Sequence, residues 1–288
     1  MKTLRKRIKS SVFRSLYDDN VSIFKATRIS SQTQYAEDTA RLLESVEFYV
    51  DADNEIIVSE QEIERALNFT HSISFVAGGT VNTAYKEVSE TGKRVAMLNF
   101  ADAKRPGGWV LDGAPTQEEN ICRCTNIYEA LITDACADKY YKPNNLFNTE
   151  DHLDEPYSDR MIYLPDALIF KDDTTYINLP ECKVDVIVSP APCGRVPNVE
   201  RVLIHRMRGI IKAAYIHGVD TLILGAWGCG AFGQSPETVA RCFAIALHSL
   251  SVLVPKVIFA IRTTEGIPEA YSSYSIFMRE FLCVWELL

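Results

Sequence analysis

Along most of this chain, short apolar runs rich in β-branched residues alternate with stretches whose apolar residues recur at helical spacing. The pattern predicts strands over 73–76, 95–100, 184–188, 221–224 and 257–261. It predicts helices over 31–45, 81–88, 118–137, 199–217, 236–250 and 269–284, with Tyr35, Thr39, Leu42 and Leu43 toward one side of the first. The strand runs are apolar on both faces, as expected of strands buried between two helix layers. This alternation predicts an α/β fold: a three-layer α/β/α domain with a mixed, largely parallel central sheet. Residues 46–50 and 55–58 flank Asp51-Ala52-Asp53-Asn54, a hairpin signal. Residues 140–159 are polar and rich in Asn, Asp and Pro, and read as a long surface excursion.

Open α/β sheets bind ligands beyond the carboxyl ends of their strands. Three loops of unusual chemistry follow strands here: 101–119, 189–195 (SPAPCGR) and 225–234 (GAWGCGAFGQ). In the first, the adjacent glycines Gly107 and Gly108 let the backbone approach a phosphate closely. Gln117, Glu118 and Glu119 follow where a helical pattern begins, and a carboxyl beside a bound sugar can give a proton to a leaving oxygen. The combination points to cleavage of a sugar bond next to a pyrophosphate.

Composition narrows the alternatives. The chain has 288 residues, enough for one large domain or two small ones, and is 47% hydrophobic and 24% charged, ordinary values for a globular protein. Its net charge of −8 argues against a general nucleic-acid binder. No apolar run approaches the ~20 residues of a membrane span, so no membrane partner is expected. Eight scattered cysteines form no CxxC pair and no zinc spacing, so no metal or cofactor is expected, and reduced thiols suggest a cytoplasmic location. Residues 1–30 read as a basic N-terminal extension: Lys2, Arg5, Lys6, Arg7, Lys9 and Arg14 are interleaved with Leu4, Ile8, Val12 and Leu16 at helical spacing. Either an amphipathic helix or a transit peptide fits it. Residues 31–288 are assigned to the domain.

Each motif also has a plainer reading. Gly228 to Gly233 spells GxGxxG between a strand and a helix, yet it lies late in the chain and no acid follows about 20 residues on, against a dinucleotide site. Free N–H groups there can still hold a pyrophosphate, and Phe232 either stacks on a ribose or base or anchors the core. Thr116 and Glu119 form T-x-x-E, a capping-box pattern in which neither acid does chemistry. Adjacent helical side chains diverge by about 100°, so at most one of Glu118 and Glu119 delivers a proton. The histidines 71, 152, 205, 217 and 248 show no ligand spacing. Cys193 and Cys229 sit in Gly-containing loops without an obvious base.

Taken together, the loops resemble the microbial-type poly(ADP-ribose) glycohydrolases, a branch of the macrodomain fold. The family signature is a Gly-Gly-Gly loop followed after six to eight residues by Gln-Glu-Glu. Here Gly107-Gly108-Trp109 precedes seven residues, 110–116, and then Gln117-Glu118-Glu119. Cys122-Arg123, Tyr128, SPAP at 189–192 and LGAWGCGAFG at 224–233 are similar too, so the resemblance spans about 31–261. It implies a macrodomain-like ADP-ribose glycohydrolase. Glu119 would be the acid, Glu118 would hold ribose hydroxyls, and Gln117 would fix the loop. Gly107, Gly108 and their neighbour Trp109 would wrap the pyrophosphate and distal ribose. Gly228, Cys229, Gly230, Ala231 and Phe232 would form a second phosphate loop, and Asn99 opens the family's Asn-Phe-Ala-Asn segment. Two departures stand out: Trp109 replaces the third glycine, and Asp102 replaces the second Asn. The implied partner is ADP-ribose or poly(ADP-ribose) on modified protein, or on nucleic acid. The alternatives are an ADP-ribose reader without catalysis, favoured by Trp109, and a mono-ADP-ribosyl hydrolase.

Overall fold

The computed structural model describes residues 33–49, 72–146, 154–250, 253–263, 266, 268 and 272–288. The predicted N-terminal extension and the Asp51–Asn54 hairpin turn lie outside these residues. Helix α1 (Thr33–Glu44) leads into β1 (Glu47–Tyr49). Then come β2 (Ser72–Val76), α2 (Thr80–Thr91) and β3 (Val95–Phe100), followed by α3 (Gln117–Cys124) and α4 (Ile127–Leu131). The remainder runs β4 (Met161–Lys171), β5 (Asn178–Ser189), α5 (Val199–Ile216), β6 (Thr221–Leu224), α6 (Pro236–Ser249), β7 (Lys256–Ala260) and α7 (Ser273–Trp285).

Seven strands form one sheet in the order β1-β4-β5-β3-β6-β7-β2. From β5 to β2 every pairing is parallel, while β4 runs antiparallel to both β5 and β1. Successive residues of the inner strands enter opposite cores. Ala96 and Leu98 of β3, with Leu222 and Leu224 of β6, pack toward α5, α6 and α7. Val95, Met97 and Ile223 pack with α2 and α3 residues such as Val81 and Ile121. Double-sided burial explains the unbroken apolar runs, and the sheet is mixed, largely parallel and sandwiched, as the pattern predicts.

Three expectations are corrected. Strand β4 is absent from the pattern because Pro165-Asp166 reads as a turn. The structure absorbs the pair in a bulge, where the register shifts between Leu164 and Ala167 and Asp166 takes a φ of 57°. The predicted helix over 118–137 breaks after Cys124, where Thr125 bridges to Ile169 and Leu168 N–H donates to Asn126 Oδ1 at 2.9 Å. The stretch 140–159 is no simple surface excursion: Tyr140, Tyr141, Asn144, Glu155 and Tyr157 are buried. Of the residues placed toward one side of α1, Thr39 and Leu42 are buried and Leu43 is exposed. Strand β1 pairs with β4 at the sheet edge.

Candidate active site

A cavity of about 540 Å³ lies beyond the carboxyl ends of β2, β3, β6 and β7, lined among others by Gly78, Phe100, Ala226 and Ile261. This is the crevice where open α/β sheets take ligands. The first turn of α3 carries Glu118 and Glu119 into its wall. Gln117 fixes that turn to the end of β3. Its Oε1 accepts the Phe100 N–H at 2.9 Å and its Nε2 donates to the Leu98 carbonyl at 2.8 Å and to Thr80 Oγ1 at 3.1 Å.

Both acids are buried, with 3% exposure each. Glu118 Oε2 accepts the Asp102 N–H at 2.7 Å, and Oε1 accepts the Asn99 side-chain amide at 3.2 Å. Asn99 is wholly buried and meets the cavity only through Glu118. Burial holds the Glu118 carboxyl well above the ordinary carboxylate range, and the charges of Glu119 and Asp102 push the same way against those two N–H donors. Glu119 Oε1 accepts the Trp109 N–H at 2.9 Å, and Oε2 accepts the Thr116 hydroxyl. The capping-box expectation is thus corrected. Thr116 is the N-cap residue, yet its side chain makes no capping bond, because its hydroxyl serves the Glu119 carboxylate.

The Gly-Gly turn explains why the acids converge although their side chains leave a helix in different directions. Gly107 and Gly108 have φ of 64° and 60°, a conformation that suits glycine. A Cβ on Gly108 would stand 2.5 Å from Glu119 Oε1 and 3.0 Å from Glu118 Oε2. One on Gly107 would strike Tyr128 at 2.8 Å. The close approach is therefore to the acid pair: neither glycine lines the cavity wall, and Gly108 makes room for both carboxyls.

Trp109 has a φ of −103°, which any residue adopts, so the third position of the motif has no need of glycine. Its indole lines the cavity, is 48% exposed, and lies 3.5 Å from the Arg105 guanidinium. The Asp102 departure is accommodated as well. Its Oδ1 accepts the N–H groups of Lys104 at 2.7 Å and Arg105 at 3.1 Å, closing the loop. Burial raises the Asp102 carboxyl, while those two N–H groups and the Arg105 and Lys104 charges oppose the rise.

Gly228, Cys229, Gly230, Ala231 and Phe232 all face the cavity. The loop 189–195 does not line it but stands behind them. Gly194 N–H donates to the Phe232 carbonyl at 2.7 Å, and Gln234 Nε2 to the Pro192 carbonyl at 2.8 Å. Trp227, fully buried, donates from Nε1 to the Ser189 carbonyl at 3.1 Å. Glu155 braces both ligand loops, accepting Lys104 Nζ at 2.6 Å and the Tyr157 hydroxyl at 2.7 Å. The Tyr157 ring lies 5.8 Å from that of Phe232.

Sequence reasoning missed the far end of the cavity, lined by Thr80, Asp173, Arg262 and Ser273. Asp173 Oδ2 accepts the Val81 N–H at 3.0 Å at the start of α2, and Oδ1 pairs with Arg262 at 3.2 Å. No motif marks these residues. The position of Arg262 just after the predicted strand 257–261 was the one available signal.

Other chemistry is remote. Among the described residues no histidine lines the cavity, and no group of three or more His, Cys, Asp or Glu is placed to hold a metal ion. Burial pushes the Cys229 thiol up to about 12 and raises Cys193 too, so neither is a ready nucleophile. Among the described residues no helix is long and apolar enough to cross a membrane.

A buried acid pair against a Gly-Gly turn, at the carboxyl edge of a three-layer sheet, marks a glycosidase on a macrodomain-like fold. The chain belongs to the microbial-type poly(ADP-ribose) glycohydrolase (PARG) catalytic domain family, whose model matches residues 18–172, just over half of its 288 residues. It is similar to the poly(ADP-ribose) glycohydrolase of Thermomonospora curvata, with 28% identity over 94% of this chain and 100% of that one and a TM-score of 0.75. The same enzyme bound to the inhibitor ADP-HPD gives a TM-score of 0.73 at the same identity and coverage. The Deinococcus radiodurans enzyme in complex with ADP-ribose matches at 27% identity over 86% of this chain and 97% of that one, with a TM-score of 0.68. No curated protein sequence matches significantly.

Proposed function

We propose that the protein hydrolyses the ribose–ribose bond of poly(ADP-ribose) with Glu119 as general acid and then general base. The observation that carries this reading is the grip on Glu119. The Trp109 N–H and the Thr116 hydroxyl hold its carboxyl in the cavity wall, with Glu118 beside it. In this reading the pyrophosphate lies near the 228–232 loop and the distal ribose against the acid pair. Protonated Glu119 gives its proton to the oxygen leaving the anomeric carbon as that C–O bond breaks, and the sugar becomes oxocarbenium-like. The pyrophosphate stabilises the developing positive charge, and Glu118 holds the ribose hydroxyls. Ionised Glu119 then takes a proton from a water whose oxygen bonds to the anomeric carbon, restoring the acid. The Thr116 hydroxyl donates or accepts, so it follows both protonation states.

The polymer carried on a modified protein is the expected substrate, and a reducing intracellular location is supported by eight free cysteines. E119Q tests the assignment. Its turnover of poly(ADP-ribose) falls by about 10²–10⁴-fold, the usual share of general acid–base catalysis, while calorimetry still detects ADP-ribose binding. Unchanged turnover removes Glu119 from the mechanism.

A further inference from the structure

The Trp109 indole does nothing for the acid, since only the backbone N–H of that residue reaches Glu119. Yet it is a large aromatic surface, half-exposed at the cavity, and among the described residues it is the one exposed Phe, Tyr or Trp ring. The Arg105 guanidinium lies 3.5 Å from its ring centre, a cation–π stack that fixes the ring and places a positive charge over one face of it. Among the described residues no carboxylate forms an ion pair with that guanidinium. An oxygen that receives its proton from Glu119 departs within reach of the residue whose N–H holds that carboxyl.

We propose that Trp109 and Arg105 form the leaving-group subsite, taking the adenosine of the adjacent polymer unit by stacking its base on the indole and its pyrophosphate near the guanidinium. The inference rests on the glycohydrolase reading above. It commits to a nucleotide occupant because an aromatic ring with a guanidinium stacked over one face and its other face free to take a base suits a purine nucleotide, whose base has a π-face and whose phosphates are anionic. Trp109 is then a specificity-determining residue that favours polymer over a single unit on a protein side chain.

The test compares wild type, W109A and W109F on poly(ADP-ribose) and on mono-ADP-ribosylated protein, with calorimetry for free ADP-ribose. Position 109 has an ordinary φ and its side chain is half-exposed, so both variants are expected to fold. The expected result is a loss of at least about fivefold in kcat/KM on polymer for W109A, through KM, the lower end of one base-on-aromatic stack. ADP-ribose affinity stays within twofold, about the scatter of the measurement, and W109F recovers most of the loss. Equal polymer turnover in wild type and W109A overturns the proposal while leaving the glycohydrolase reading intact. So does a matching loss of ADP-ribose affinity, which would put the indole on the other side of the scissile bond. A loss confined to the protein-linked single unit overturns it in favour of a protein acceptor. A wild type that cuts no polymer at all overturns the underlying reading and this one with it.

Discussion

The backbone N–H of Trp109 donates to Glu119 Oε1 at 2.9 Å, so a loop ten residues upstream holds the first turn of a helix. The carboxyl is positioned by main chain on one oxygen and by the Thr116 hydroxyl on the other. Main-chain support cannot be mutated away, but the hydroxyl can.

T116V keeps the shape of the N-cap side chain and removes that hydroxyl. Turnover is expected to fall by about 5- to 30-fold, as for one charge-assisted hydrogen bond, mostly in kcat. Steady-state kinetics of T116V beside wild type check this; a normal kcat rules out the hydroxyl's support of Glu119.

G108A places a Cβ in the space shared by the two carboxyls, at a φ of 60°. Backbone strain and the clash should lower stability by about 1–3 kcal/mol and reduce turnover far more than stability. G230A is the control: an added Cβ there meets nothing within 4 Å, so stability should change by less than about 0.5 kcal/mol. Thermal melts of both variants check this, and an equal loss of stability in G108A and G230A would contradict the account of the turn.

Glu118 gives stability a pH dependence of unusual sign. Its folded-state pKa lies well above the ordinary value because of burial. Between the unfolded value of about 4.3 and the raised folded one, the native state binds more protons than the unfolded state. Stability from this group is therefore present at low pH and lost as pH rises through that window. E118Q should flatten the slope, so the Tm difference, variant minus wild type, grows with pH from 4 upward. A constant difference would mean that Glu118 ionises as easily folded as unfolded.

D102N restores the amide found in the family segment. The Asn Oδ1 can accept the same Lys104 and Arg105 N–H groups, so the loop keeps its turn. One negative charge leaves the cavity wall, and ADP-ribose should bind about fivefold tighter, roughly 1 kcal/mol of relieved repulsion. Calorimetry at low and physiological salt checks it: the gain should shrink as salt rises.

What the sequence made legible follows from where information is local. Strand β3 and helix α2 announce themselves by period and composition, and the acids follow the glycine turn by only ten residues, so one short loop joins them. Strand β4 is hidden by Pro165-Asp166, since local turn chemistry cannot reveal that a partner strand accepts the bulge. The break at Thr125 is likewise imposed by β4 through Ile169 and Leu168. Asp173 and Arg262 are 89 residues apart in sequence and meet because Asp173, after β4, accepts the Val81 N–H at the start of α2, and the strand before α2, β2, pairs with β7. The expectation for Gly107 and Gly108 rests on what glycine permits, whereas the sequence could not reveal that two carboxyls stand where a Cβ on Gly108 would point.

The ordinary backbone angle at Trp109 separates two duties that share one residue. The amide serves bond cleavage and is indifferent to the side chain attached beside it, whereas the side chain meets the outside world. Substitution at this single place can therefore retune which molecules are accepted while the cutting apparatus stays as it is, giving selection a dial that is uncoupled from the engine.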